Sequence, residues 1–209
     1  MVNAWSRVWD GRVAPDWTIR VGGGEETVAD AQWASADDAT LVAAVLANRR
    51  DAFDVIVERY RRQVYLLCFR YVGSHEDAAD LAQDTFIRAF KGLKGFKGQS
   101  ALSTWLYRIA VNVCLNRISI KTPRPEALDP TDREDLRAER PDAALLREER
   151  AAEVRAAIRR LPRKQRATLI LRVYHDLPHE QIAGILGSSV GAAKANFFHA
   201  LANLKKLLR

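Results

Sequence analysis

Residues 180–190 read EQIAGILGSSV, a pattern that predicts two helices joined by a tight turn. Ile182, Ile185 and Leu186 are spaced so that they lie on one side of the first helix and pack inward. Gly187 follows directly, and glycine adopts without strain the positive φ angle that such a turn needs. The stretch therefore predicts a helix-turn-helix that presents its second helix to the major groove of DNA, although an ordinary helical hairpin has a similar pattern.

The helix after this turn is predicted from about residue 189 to residue 208 and has two distinct faces. The face expected to pack inward carries Val190, Ala193, Phe197, Leu201, Leu204 and Leu208. The opposite face carries Ala192, Ala195, Asn196 and His199, with Lys194 and Phe198 at its borders. Asparagine can pair with adenine and lysine can reach phosphate, so this face is a candidate surface for DNA. His199 is equally compatible with an inert surface position.

Charge divides the chain into segments of different character. Residues 145–209 carry 13 basic and 5 acidic side chains, a net charge of +8, whereas the whole chain of 209 residues carries +7. A basic module of this kind favours partners that carry phosphate. Residues 125–142 carry seven acidic and three basic side chains, a net charge of −4, and residues 123–142 contain four prolines. Because proline interrupts helices, residues 123–142 are predicted to form a flexible acidic linker before a second helical module at residues 143–209.

Residues 37–122 are predicted to form a first all-α module, because apolar side chains recur at helical spacing. The predicted helices span residues 38–46, 52–72, 75–90 and 102–120. Asp37 or Asp38 is expected to cap the first helix. Asp51 and Ser74 are expected to cap the second and the third. The second helix should bury Phe53, Ile56, Val57, Tyr60, Val64, Leu67 and Cys68.

Residues 1–36 precede this module and are predicted to be a disordered tail. They contain four of the five tryptophans and three consecutive glycines, and no helical or strand period is sustained.

The helix predicted after Ser74 combines acidic and apolar residues on one face. Its buried side should carry Ala78, Ala82, Phe86 and Ala89. The other side then exposes Asp77, Asp80 and Asp84 beside Leu81 and Ile87. Solvated helix faces often carry acidic residues, and acids also suit a helix N-terminus. Exposed leucine and isoleucine among them favour instead a contact with a basic protein.

A basic and aromatic stretch follows at residues 88–124, which carry eight basic side chains and no acidic one. The aromatic residues within it are Phe90, Phe96, Trp105 and Tyr107. Single-stranded DNA is bound by this combination, because bases stack on aromatic rings and phosphates pair with cations. Either of Phe96 and Trp105 alone is equally compatible with core packing. Trp105, Arg108 and Asn112 share one stripe of the predicted helix.

In combination these segments resemble the extracytoplasmic-function (ECF) type of sigma factor over residues 37–209. Residues 77–86, DAADLAQDTF, are similar to the family segment that grips the clamp helices of the largest polymerase subunit. Residues 96–106, FKGQSALSTWL, and residues 109–112, IAVN, are similar to the −10 element segment. The helix-turn-helix, with Leu161-Pro162 and Gln165-Arg166 before it, is similar to the −35 element domain.

The resemblance implies a transcription initiation factor that binds core RNA polymerase, recognises the −35 and −10 promoter elements and promotes promoter melting. It also implies a cytoplasmic protein that serves a stress or envelope-response regulon, with an anti-sigma factor as a further candidate partner. The core-polymerase-binding residues would be Asp77, Asp80, Leu81, Gln83, Asp84 and Ile87. The −10 DNA-binding residues would be Phe96, Lys97, Gln99, Ser100, Trp105, Arg108 and Asn112. The −35 DNA-binding residues would be Ala192, Lys194, Ala195, Asn196, Phe198 and His199.

The chain departs from the family pattern in three places. Family members often carry basic residues around the positions of Asn196 and His199, and Ala192 stands where a threonine is common. The tail matches no family segment. By resemblance the acidic linker would lie in the basic RNA exit path of the polymerase, whereas its composition is equally compatible with a passive tether.

Two other functional classes fit the sequence less well. A plain helix-turn-helix regulator would use the first module for sensing or dimerisation, but this leaves the acid-free aromatic stretch unexplained. An enzyme is disfavoured, because the sequence has no glycine-rich phosphate loop, metal-ligand cluster or nucleophile–base motif, and we expect no cofactor and no metal. Cys68 and Cys114 are expected to be buried free thiols, as suits a reducing cytoplasm, and no apolar stretch predicts membrane insertion.

Overall fold

The computed structural model describes residue 33, residues 35–121 and residues 142–208, and every regular element in these ranges is helical. The helices are α1 (Asp38–Leu46), α2 (Asp51–Val72), α3 (His75–Gly92), α4 (Leu102–Lys121), α5 (Asp142–Arg160), α6 (Arg163–Tyr174), α7 (His179–Leu186) and α8 (Val190–Leu207). The prediction of an all-α fold is therefore confirmed for the described residues. Most of the predicted tail (1–36) and of the predicted linker (123–142) lies outside them.

Side chains that accept hydrogen bonds from backbone amides define where several helices begin. The Asp37 carboxylate accepts from the amide of Thr40, so Asp37 caps α1 as predicted. Ser74 caps α3 as predicted. The prediction that Asp51 caps α2 is wrong, because its carboxylate accepts hydrogen bonds from Arg49 and from the indole nitrogen of Trp33 instead.

Helix α2 supplies the centre of the first module, with α1, α3 and α4 packed around it. Six of the seven side chains that were expected to be buried on α2 are buried, and Val57 is half-buried. Cys68 of α2 and Cys114 of α4 are buried free thiols, as predicted. A hydrogen bond with Cys68 and burial both raise the pKa of the Cys114 thiol well above its usual value. The thiols therefore act as small core side chains.

The helices on either side of residues 122–141 pack against each other. The rings of Tyr107 (α4) and His175 (after α6) have centroids 4.7 Å apart. The Arg70 guanidinium (α2) stacks on the ring of Tyr174 (α6), 3.4 Å from its centroid. A cation held over an aromatic face is stabilised by the ring quadrupole, so this pair joins the two modules.

Two further arginines of the second module contact the C-terminal end of α2. The Arg166 guanidinium donates a hydrogen bond of 3.4 Å to the carbonyl oxygen of Tyr71. Arg159 lies so close to Gly73 that a Cβ at that position would come within 2.5 Å of its Nη1. Gly73 also has a φ of 77°, which glycine adopts without strain. The C-terminal end of α2 thus packs closely against the second module.

His175 is a titratable group whose pKa changes strongly at this contact between the modules. Burial lowers its pKa to about 4, and the positive charge of Arg70 acts in the same direction. Burial disfavours the charged imidazolium, which would lose its hydration next to Tyr107. The packed arrangement therefore requires a neutral His175.

We expect the folded protein to lose stability as the pH falls below about 6.5, the usual pKa of an unfolded histidine. The unfolded chain binds a proton at His175 between pH 6.5 and 4, whereas the folded chain does not, since its pKa is about 4. This difference amounts to about 2 kcal/mol at pH 5. Urea unfolding of the full chain at pH 7, 6 and 5 measures it.

The His175→Asn variant should lose about 2 kcal/mol less than the wild type between pH 7 and pH 5. The His199→Asn variant is the matched control, because His199 is exposed on α8, and it should keep the wild-type dependence. An unchanged pH dependence in His175→Asn would contradict the assignment.

Candidate nucleic-acid interface

The turn between α7 and α8 has the geometry of a helix-turn-helix. Gly187 ends α7 with a φ of 58°, in the left-handed region, and the amide of Ser188 donates to the carbonyl of Ala183 at 2.9 Å. The Ser189 hydroxyl accepts a hydrogen bond of 3.1 Å from the amide of Ala192 and so caps α8. The prediction of a glycine turn between two helices is confirmed.

Helix α7 buries the residues that were expected to face inward. Ile182 and Ile185 are buried, and Leu186 is half-buried. They pack in the core that α6, α7 and α8 share. This core fixes the direction in which α8 leaves the turn.

The buried side of α8 differs from the predicted one in its second half. Ala193 and Ala200 are fully buried, and the partly buried side chains that pack with them are Val190, Phe197, Leu204 and Leu207. Leu201 and Leu208 were expected to pack inward but are 43% and 45% exposed. Repeated steps of four residues drift around a helix of 3.6 residues per turn, so the inward line must alternate steps of three and four.

The outward side of α8 carries the predicted DNA-facing residues. Those exposed are Ala192, Lys194, Ala195, Phe198 and His199, whereas Asn196 is half-buried. Phe198 is 68% exposed, more than any other large apolar side chain in the described ranges. The sequence of α8 contains no acidic residue. This face can therefore approach a phosphate backbone without repulsion from its own side chains.

Helix α3 has a wider buried side than the sequence predicted. Ala78, Ala82, Phe86 and Ala89 are buried as expected. Leu81, which was expected to be exposed beside the acidic residues, is only 5% exposed, so that expectation is wrong. The reason is that both α2 and α4 pack on α3, and two neighbours cover a broader arc of a helix than one.

The side of α3 that remains accessible carries Asp80, Gln83, Asp84 and Ile87, which we call the acidic surface. Asp80 and Gln83 are exposed, and Ile87 is 45% exposed. Asp84 forms an ion pair of 3.0 Å with Arg88 one turn later. Apolar and acidic groups are thus presented together, which suits a basic protein partner better than water alone.

Asp77 was predicted to belong to the same surface but also has a role within the fold. Its carboxylate accepts a hydrogen bond of 3.0 Å from Arg117 of α4. This ion pair holds the first turn of α3 against α4. Asp77 is half-buried, so only part of it is available to a partner.

The loop before α4 and one side of α4 form a basic surface with an aromatic centre. The rings of Phe96 and Trp105 have centroids 5.2 Å apart, and both rings are half-buried against the core. The exposed side chains around them are Lys97, Gln99, Ser100, Arg108 and Asn112. The core-packing alternative is therefore partly right for both aromatic residues, since each ring is packed on one side and accessible on the other.

Tyr107 belongs to the same stretch but faces the other way. It is buried, donates a hydrogen bond of 2.9 Å to Gln63 of α2 and contacts His175. Sequence reasoning missed this contact between modules, because nothing in the spacing of single residues indicates that Tyr107 and His175 meet.

The described ranges of the chain contain neither a metal-binding cluster nor a membrane-spanning helix. Within them, no cluster of His, Cys, Asp and Glu is arranged to hold a metal ion. No helix there is both long enough and apolar enough to cross a membrane.

Comparison with known proteins gives consistent matches along both modules. Residues 56–122 match the family description Sigma-70 region 2, and residues 151–204 match Sigma-70, region 4. The chain is 35% identical over 181 residues to the RNA polymerase sigma-H factor of Pseudomonas aeruginosa, which covers 82% of this chain and 94% of that protein. It is also 35% identical over 172 residues to the ECF RNA polymerase sigma-E factor of Salmonella typhimurium, covering 78% of this chain and 90% of that protein.

The fold is also found in a solved structure. The sigma factor RpoE from Bartonella quintana, crystallised in complex with the anti-sigma factor NepR, superposes with a TM-score of 0.56 at 21% identity. The match covers 75% of this chain and 96% of that one. At this level of identity the likeness concerns the fold alone.

The turn geometry predicts opposite effects for two glycines near the end of α7. Gly187→Ala should destabilise the protein by about 1 kcal/mol, because its positive φ is strained for any residue with a Cβ. Gly184→Ala is the matched control: Gly184 is helical and exposed, with open space around it, so alanine should stabilise α7 by about 0.5–1 kcal/mol. Urea unfolding of both variants measures the difference, and equal effects would contradict the role of Gly187.

Proposed function

This chain belongs to the ECF-type sigma factors of the sigma-70 family, and from that premise we propose which of its surfaces meet the polymerase and which meet the promoter. Membership makes it a transcription initiation factor that binds core RNA polymerase and recognises promoter DNA. The observation that carries this is the ordered match of residues 56–122 and 151–204 to the two sigma regions. Residues 37–122 are the proposed core-binding and −10 module, and residues 143–209 the proposed −35 module.

The acidic surface of α3 is the proposed contact with core polymerase. Its accessible acids and the exposed Ile87 support a basic partner with an apolar patch. Asp77 contributes from the edge of this surface, since it also pairs with Arg117. Leu81 has an indirect role, because it is buried beneath this surface and its packing fixes the position of the acids.

The basic surface around Phe96 and Trp105 is the proposed site for the non-template strand of the −10 element. A sigma factor has no chemical fuel for opening DNA, so it must bind the open form better than the closed form. Unpairing a base costs a few kcal/mol, and stacking on an aromatic ring returns about 1–3 kcal/mol. Lys97 and Arg108 are exposed on this surface and can hold the strand by its phosphates.

Within the same site, Gln99, Ser100 and Asn112 are the proposed readers of base edges. Their side chains carry both donors and acceptors, and all three are exposed. Gly98, between Lys97 and Gln99, has a φ of 67° and open space around it, which lets the backbone come close to a nucleotide.

The outward side of α8 is the proposed −35 reader. Asn196 is assigned to a base edge and His199 to a base or phosphate. Lys194 is exposed and is assigned to the phosphate backbone. Ala192, Ala195 and Phe198 complete the surface without offering hydrogen bonds.

Several further assignments rest on family membership and on the sequence. The acidic segment at residues 123–142 is proposed to occupy the RNA exit path, with a passive tether as the alternative. An anti-sigma factor is a proposed partner, as the Bartonella quintana structure contains one. We assign the chain to the cytoplasm and to a stress or envelope-response regulon. All catalysis is assigned to the polymerase, and none to this chain.

Transcription with purified core polymerase tests the function and the acidic surface together. The full chain should direct run-off transcription from a promoter selected out of a random library, whereas a plain regulator would bind duplex DNA unaided and start nothing. Reversal of Asp80 and Asp84 to lysine should weaken core binding by at least about tenfold, or about 1.4 kcal/mol. Fluorescence titration of labelled chain with core measures this.

The control carries the same change of charge elsewhere. Glu58 and Glu153 are exposed acids on α2 and α5, outside the acidic surface. Reversing both to lysine should leave core affinity within about twofold of the wild type. Equal losses in the two double variants would show that net charge, and not this surface, governs binding.

Melting is tested by comparing duplex and pre-melted promoters. Arg108→Ala combined with Asn112→Ala should lower open-complex formation on a duplex at least about tenfold, since one or two strand contacts of about 1–3 kcal/mol are lost. A promoter with an unpaired −10 bubble should restore most of the activity, because the unpairing cost is already met. Permanganate reactivity of unpaired thymines measures opening.

Arg62→Ala serves as the control for lost charge, because Arg62 is exposed on α2, a helix that carries none of the proposed −10 residues. It should open the duplex like the wild type. If the double variant also opened the duplex fully, the stripe on α4 would be structural only.

A further inference from the structure

The outermost line of α8 is apolar from residue 191 to residue 202, before the lysines of the last turn. It consists of Gly191, Ala195, Phe198 and Ala202, spaced four, three and four residues apart and all exposed. None of these side chains can donate or accept a hydrogen bond. Between residues 191 and 202, the outermost line of the proposed −35 reader therefore cannot read bases by hydrogen bonding.

Phe198 dominates this line. It is 68% exposed, while its neighbour Phe197 turns inward and contacts the ring of His179 at 5.7 Å between centroids. Small residues lie one turn before and one turn after Phe198, at Ala195 and Ala202. They allow the helix backbone to come close to a flat surface while the phenylalanine ring extends beyond it.

The charges beside this line indicate what it meets. Lys194, Lys205 and Lys206 are exposed on α8, which contains no acidic residue. Lysine is depleted in protein–protein interfaces and favoured next to phosphates. An apolar line with lysines beside it thus suits the major groove of DNA better than an apolar protein surface.

The major groove offers one apolar group to such a side chain. Among the base edges exposed there, only thymine carries a methyl group, at C5, and phenylalanine contacts it in protein–DNA complexes. Phe198 is eight residues after the first residue of α8, or about 12 Å along the helix axis, which is close to the width of the groove. A helix whose N-terminal turn lies in the groove would therefore still hold Phe198 inside it.

We propose that Phe198 reads the upstream promoter element by packing on the C5 methyl group of a thymine, so that part of its sequence preference is apolar. This rests on the proposed function of α8 as the −35 reader. Asn196 and Lys194 then supply the polar contacts, and Phe198 discriminates thymine from cytosine at one or two base pairs.

Replacing thymine with deoxyuridine tests this directly, because it removes the methyl group and leaves the hydrogen-bonding pattern intact. The upstream element is first selected from random sequence with holoenzyme made from core polymerase and the full chain. Each thymine in it, on either strand, is then replaced in turn. Wild-type holoenzyme should bind about fourfold more weakly at one or two positions, since burial of one methyl group contributes about 0.8 kcal/mol.

Phe198→Ala should bind thymine promoters about fourfold more weakly than the wild type and show no further loss on deoxyuridine. Phe198→Leu should keep part of the methyl effect. Leu208→Ala is the matched control, since Leu208 is 45% exposed beyond the end of α8, and it should keep the whole effect. Asn196→Ala should weaken binding but retain the fourfold difference between the two bases.

The proposal is overturned if wild-type holoenzyme binds every deoxyuridine promoter as well as its thymine counterpart, or if Phe198→Ala keeps the full methyl effect. Weaker assembly of Phe198→Ala with core polymerase, without any methyl effect in the wild type, would make the line a protein contact. If the selection yields no upstream preference, or one that survives changing Lys194, Asn196 and Phe198 together, α8 is not the −35 reader and the underlying function fails as well.

Discussion

Burial of the apolar side of α2 is the interaction on which the rest of this structure depends. Ile56, Val64, Leu67 and Tyr71 are at most 1% exposed, and α1, α3 and α4 all pack around them. Because α3 and α4 pack against the same helix, the acidic surface and the basic surface are held at fixed positions on one module. The C-terminal end of α2 also receives the second module, through Arg70 and the Tyr71 carbonyl.

The surfaces proposed for the polymerase and for DNA differ in charge and lie close together along the chain. Asp84 is the last acid of the acidic surface and pairs with Arg88, and no acid follows until after residue 124. Opposite charges this close in sequence would attract each other's partners if they shared a face. The acids lie on α3, whereas most of the exposed basic and polar residues proposed to meet DNA lie on the loop after it and on α4.

Helix caps and turns could be predicted from the sequence, whereas contacts between distant elements could not. The cap at Ser74 and the turn at Gly187 depend on a few neighbouring residues, so their patterns predicted them correctly. Leu81 was placed on the wrong side because the sequence does not say that two helices cover α3. The outward direction of α8 was predicted from its periodicity, but Leu201 shows that small deviations from the true period accumulate along a long helix. The meeting of Tyr107 with His175 depends on the docking of whole modules, which no local pattern encodes.

That docking has a consequence for distance. The names of the two promoter elements place them about 25 base pairs apart, which is about 85 Å along B-form DNA. Two packed modules of about 85 and about 65 residues have centres only about 25 Å apart, given radii of gyration of about 11–12 Å. If the two modules bind the two elements as proposed, the stacking of Arg70 on Tyr174 must therefore break before both elements are occupied at once. The free energy of this contact is then subtracted from the free energy of promoter binding. Each module therefore competes with DNA for the other module. Because both modules belong to one chain, dilution does not lower their local concentration.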